Sequence, residues 1–253
     1  MRGLKYAMVG LACLLLVVAL DGLTNELDTA RYYWDFALYY DMAENGLVNN
    51  DHLVAPFAYR FATPLLARAL TDILPEGREI VILASADGAL FATRTFRGFR
   101  VLAIVGAVAQ LALTFALAER MHVSPRRAFV TVLVVALSLY NVRFLLFDVS
   151  RPDHLAYPLM AIGVLAAVRR DVLLCMVASC AGLMAREFLL IPPAILIVLL
   201  LRDYRETRSR AALASIAALA LATGLCLIVP RAVIPVTGTG QYIDPVNDPD
   251  SLG

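Results

Sequence analysis

Four short charged stretches interrupt a chain that is otherwise apolar. The first holds Asp28, Arg31, Asp35 and Asp41 in DTARYYWDFALYYDMAENG. The second holds Arg60 in APFAYRFATPLLARAL. The third holds Asp148, Arg151, Asp153 and His154 in FDVSRPDHLAYPL. The fourth is the pair Arg186–Glu187 in GLMAREFLLIPP. Carboxylates serve as general bases, and arginines grip anions with a two-pronged fork. A charge at the centre of a membrane helix costs about 2.5–3.5 kcal/mol, and less toward its ends. Arg186 and Glu187 break a long apolar stretch, so a paired polar cavity is the usual justification.

Each stretch also has a plain reading. Asp28, Arg31 and Asp35 lie at i, i+3 and i+7, one face of a helix, where Arg31 can pair with both acids. Arg60 can snorkel to lipid headgroups. Asp153 and His154 suit a helix start, where an acid is favoured by the dipole. Arg186–Glu187 can be a turn between two apolar segments. Tyr32, Tyr33, Trp34, Tyr39 and Tyr40 read most simply as an interfacial aromatic belt, although aromatics also line sugar sites.

The elements that must carry these residues follow from composition. Of 253 residues, 60% are hydrophobic and 17% charged. Soluble domains run near 45–50% apolar and about 25% charged. Net charge is +1, which leaves no bulk electrostatic case for nucleic acid. Cys13, Cys175, Cys180 and Cys226 sit inside apolar segments without metal-ligand spacing and read as buried hydrophobes.

Apolar runs at 4–23, 99–118, 128–147 and 211–230 are long enough to cross a bilayer. Runs at 155–168, 172–185 and 188–201 are shorter and imply short, tilted or re-entrant segments. The expected architecture is all-α: a single domain over 1–253, a polytopic transmembrane bundle with amphipathic surface helices in a large first outer loop, 24–98. Within that loop, 52–75 and 79–93 read as the surface helices. Arg2 and Lys5 place the N-terminus in the cytoplasm, and each subsequent inner loop is then Arg-rich, as orientation by positive charge requires. The cluster Arg94, Arg97 and Arg100 falls on the outer side and departs from that pattern. All four charged stretches gather on the non-cytoplasmic face.

The arrangement resembles the GT-C superfamily of polytopic glycosyltransferases, its mannosyltransferase-like members in particular. The resemblance rests on YYWDFALYYDMAENGL after a first helix, AYRFATPLLA, FDVSRPDHLAYPL at a helix start, and AREFLLIPP opening another apolar helix. It covers about residues 20–200. The chain is shorter than the usual members, as a fragment or a short member would be. The resemblance implies transfer of a sugar from a polyprenyl-phosphate donor to an acceptor hydroxyl on a glycan, lipid or protein. It implies a catalytic carboxylate in the first outer loop, with Asp35 the best match and Asp28 and Asp41 the fallbacks. Glu187 would position Arg186 or a sugar hydroxyl. Arg60, Arg151 and Arg186 would hold the lipid phosphate, with Asp153 and Tyr39 as further binding residues. A divalent cation would fit if two carboxylates converged, but no ligand spacing demands one. The setting expected is a bacterial inner membrane. The rival classes are a transporter or lipid flippase, which would carry ionisable groups near the bilayer midplane, and a non-catalytic membrane scaffold.

Overall fold

The computed structural model describes residues 2–25, 35–48, 50, 53–74, 81–84, 90–138, 149–236 and 238–239. The chain is helical. Two helices stand antiparallel at its start: α1 (Arg2–Asn25) and α4 (Phe96–Arg120). Lys5 pairs with Glu119 at one end, and Arg100 donates to Asp21 at 2.8 Å at the other. The Asp21 pair gives Arg100 a partner on the face where the charge pattern of the sequence was anomalous.

Between them lie α2 (Asp35–Asn45), a 3-10 turn (Phe57–Tyr59) and α3 (Ala62–Ile73). The described residues of 79–93 do not form the expected surface helix. They are β2 (Val81–Ala84) and β3 (Leu90–Thr93), paired antiparallel with Val81 opposite Thr93. Short runs with Val, Ile, Phe and Thr suit a pleated strand better than a helix. A second short contact pairs β1 (Val54–Ala55) in parallel with β4 (Gly238–Thr239).

The rest of the chain runs up and down. It comprises α5 (Pro125–Ala136), α6 (Asp153–Arg169), α7 (Val172–Leu183), a 3-10 turn (Glu187–Leu190), α8 (Ile191–Thr207) and α9 (Arg210–Val233). Proline at the first position of α5 lacks the N–H that a helix start would leave unsatisfied. The turns at the α6–α7 and α8–α9 junctions are tight because Arg170 and Arg208 take left-handed backbone, ending one helix and releasing the next. Asp171 then caps α7 by accepting from the Leu174 N–H at 3.0 Å. The expected span 128–147 is represented by α5 up to Ala136; residues 139–148, with Asp148, lie outside the described residues.

Close approach of helices rests on small residues. A Cβ on Gly106 of α4 would stand 2.2 Å from the carbonyl oxygen of His154, so only glycine lets α6 begin there. The α1–α4–α5 core packs Cys13, Val17, Leu111, Phe115 and Val132. The α6–α9 core packs Ala166, Cys175, Leu196 and Leu219. Tyr39 and Tyr40 are fully buried, with Tyr40 edge-on to Phe99 at 4.8 Å. They are core residues and not an interfacial belt, because the apolar face of α2 folds down onto α3 and α4.

Among the described residues, α4 and α9 are long and apolar enough to cross a membrane. The outer surfaces of α1 and α9 are apolar as well: Met8, Leu11 and Leu15 are exposed on one, Leu221, Ile228 and Val233 on the other.

Candidate functional site

Four of the charged residues, Arg60, Asp153, Arg186 and Glu187, meet where α6 and α8 begin and α7 and α9 finish. The turn between α7 and α8 is the centre. Its backbone is pinned to the start of α3, where the Ala62 N–H donates to the Met184 carbonyl at 3.1 Å. That bond brings the segment holding Arg60 against the segment holding Arg186 and Glu187.

Arg186 has extended backbone and begins the 3-10 turn. Its guanidinium donates to Asp153, the first residue of α6, at 2.5 Å. Asp153 is almost wholly buried, with its side chain 6% exposed. Such a pair joins α6 to the α7–α8 turn, and either member alone would be an uncompensated buried charge. The acid also sits at the positive end of the α6 dipole.

Glu187 faces elsewhere. It accepts from Arg60 at 3.4 Å and lies 3.9 Å from Arg231 near the end of α9. Arg60 lies over the Phe57 ring at 5.5 Å and Arg231 over the Tyr59 ring at 4.9 Å. These contacts place both cations over aromatic rings. Phe188 stacks on Tyr157 of α6 at 5.5 Å beside them in the chain. Among the ion pairs of the described residues here, three guanidinium groups meet two carboxylates.

An apolar cavity of about 430 Å³ adjoins this cluster, lined among others by Leu47, Phe61, Met184, Cys226, Pro230 and Ile234. Phe61 follows Arg60 and Pro230 precedes Arg231, so the backbone segments that carry the cations also wall the cleft. Chemically, the arrangement suits an anion that carries an apolar chain.

Of the residues singled out in the sequence, Arg60, Asp153, Arg186 and Glu187 are brought together. Arg151 is half-buried in the turn ahead of α6. Asp35 is the first residue of α2. Tyr39 is fully enclosed and packs edge-on to Phe57 at 6.2 Å, so it supports the platform under Arg60 and has no surface for a ligand. Asp41 is engaged by the amides of Asn45 at 2.7 Å and Asn50 at 2.8 Å. Asp28 and Arg31 lie outside the described residues. Glu187 pairs with Arg60 and Arg231, while Arg186, with extended backbone, reaches Asp153. Sequence reasoning missed Arg231; a cation directly after the apolar run of α9 was the available signal. Among the described residues, no group of three or more His, Cys, Asp or Glu is placed to hold a metal ion. No protein family, curated protein or solved structure matches the chain.

Proposed function

We propose that the chain is a polytopic membrane glycosyltransferase of the GT-C kind that uses a polyprenyl-phosphate sugar as donor. The observation that carries this reading is an apolar cleft whose lining residues Phe61 and Pro230 are chain neighbours of Arg60 and Arg231, the two cations that flank Glu187. A polyprenyl chain matches the cleft, and a phosphate matches cations placed over aromatic rings. The transfer step rests on the GT-C resemblance of the sequence.

The membrane reading has two supports. Apolar side chains cover the outward faces of α1 and α9, which water would penalise and lipid would not. The two ion pairs between α1 and α4 also bracket an apolar stretch. Lys5 and Asp21 are about 24 Å apart along a helix, close to the roughly 30 Å of a hydrocarbon core. The N-terminus lies in the cytoplasm and the charged cluster on the opposite face, by the arginine distribution of the sequence.

In the reaction, the donor chain rests in the cleft with its phosphate at Arg60 and Arg231. Asp35 takes the proton of the acceptor hydroxyl while that oxygen attacks the anomeric carbon. The carbon–oxygen bond to the lipid phosphate breaks, and the arginines stabilise the departing charge. A single displacement inverts the anomeric centre. The transporter or flippase reading has less support, because the sequence shows no repeat of two matching halves.

The test uses the whole protein in nanodiscs with polyprenyl-phosphate mannose and polyprenyl-phosphate glucose as donors and alkyl glycosides as acceptor hydroxyls. Release of polyprenyl phosphate, lost in Asp35→Ala while the protein stays folded, is the expected result. Release from neither donor, or full release by Asp35→Ala, rejects the assignment. Orientation is read separately in a variant with its four cysteines replaced. An impermeant thiol reagent added outside cells should label Val48→Cys and spare Arg208→Cys; the reverse pattern rejects the proposed sidedness.

A further inference from the structure

A second cavity, of about 600 Å³, opens where α2, α3 and the start of α4 meet. Glu44, Arg68, Thr71, Asp72, Arg94 and Thr95 line it, and among the described residues it shares none with the apolar cleft. Most of its polar groups are already engaged. One oxygen of Glu44 accepts from the Thr93 hydroxyl at 2.9 Å, the Arg94 N–H at 2.6 Å and the Thr95 N–H at 3.1 Å. Its charge is therefore taken up at the start of α4, where the helix dipole also favours it. Thr71 donates to the Ala67 carbonyl, and the Thr95 and Thr93 hydroxyls are 2.9 Å apart.

Three charged groups are left over. Arg68 donates to the Glu44 carbonyl from one nitrogen at 3.3 Å, and a guanidinium has five N–H donors. Among the described residues, neither the Arg94 guanidinium nor the Asp72 carboxylate has a hydrogen-bond or ion-pair partner. All three residues are exposed, so their solvation leaves them open to exchange for a ligand. Two guanidinium forks match the oxygens of a phosphate. A lone carboxylate on the same wall matches a cation attached to it. We infer that this cavity binds a zwitterionic phosphate ester of the phosphoethanolamine type, with the phosphate on Arg68 and Arg94 and the ammonium on Asp72. The same chemistry is found in a soluble ester and in a phospholipid headgroup.

The test titrates the full chain in detergent with soluble phosphoethanolamine and, in parallel, with inorganic phosphate. Phosphoethanolamine should bind saturably and more tightly than inorganic phosphate. Arg68→Ala and Arg94→Ala should each weaken it about tenfold or more, the usual weight of a charge-assisted pair. Asp72→Asn should weaken phosphoethanolamine and leave inorganic phosphate unchanged or tighter. Arg202→Ala, an exposed arginine of α8 outside both sites, should leave this binding as it is. A second arm compares nanodiscs containing phosphatidylethanolamine with discs lacking it. Competition by the lipid identifies the headgroup as the source, and its absence identifies the soluble ester. The site is overturned if neither form of the ligand binds, or if the two arginine variants bind as the parent does. Equal binding of inorganic phosphate and phosphoethanolamine, unaffected by Asp72→Asn, overturns the role of the ammonium.

Discussion

Arg186 and Glu187 are neighbours in the chain and serve opposite sides of one site: Arg186 ties to Asp153 at 2.5 Å, Glu187 to Arg60 at 3.4 Å. The first pair is buried and joins helices. The second is partly open and shared with Arg231. The two pairs should therefore respond to mutation in different ways.

Arg186→Ala strips the partner from a nearly buried carboxylate. It should destabilise the protein by about 3–5 kcal/mol, whereas the double change Asp153→Leu with Arg186→Met should recover most of that loss. Denaturant titration in detergent reads both. A single variant as stable as the parent would show that this pair does not hold α6 to the α7–α8 turn.

Glu187→Gln acts on binding and not on folding. The Glu187 side chain is 37% exposed, so the stability change should stay within about 1 kcal/mol. Removing the acid releases Arg60 and Arg231, so binding of polyprenyl phosphate should tighten and become more sensitive to salt. Arg60→Ala should weaken it about tenfold. Nanodisc titrations at two salt concentrations measure all three, and identical affinities would disconnect the cluster from phosphate.

Two glycines make a matched pair. Gly106→Leu has no room, since even a Cβ would stand 2.2 Å from the His154 carbonyl oxygen, and it should abolish the folded yield. Gly224→Ala meets nothing within 4 Å and should be neutral or stabilising by about 0.5–1 kcal/mol. Thermal scans of the two variants side by side are decisive; equal behaviour would mean that α6 does not start against α4.

Glu44→Ala should loosen the start of α4. Three donors converge on one carboxylate oxygen, and the loss of such a cap costs about 0.5–2 kcal/mol. Hydrogen exchange at the Arg94 and Thr95 amides should accelerate first. Unchanged exchange there would rule out the tertiary cap.

The apolar runs made the long helices legible. Expected at 99–118 and 211–230, they occur as Phe96–Arg120 and Arg210–Val233. The break at Arg186–Glu187 and the helix start at Asp153 were legible too, because charge amid apolar residues is a local signal. The strands Val81–Ala84 and Leu90–Thr93 stand where a surface helix was expected, although their Val, Ile, Phe and Thr suit a pleated strand. Tyr39 and Tyr40 are core residues and not a belt, because a run of aromatic and apolar residues does not say whether a face meets lipid or another helix.

By itself the sequence determined the helical class, the extents of the longest helices and the charged residues that needed partners. These depend on side chains within a few turns of one another, where hydrophobic pattern and capping act. Only the tertiary structure decided the pairings. Arg60 meets Glu187 across 127 positions, Arg186 prefers Asp153 to its own neighbour, and Arg231 joins the cluster from the far end of α9. Those choices follow from how closely helices approach, which glycines such as Gly106 permit and no local pattern encodes.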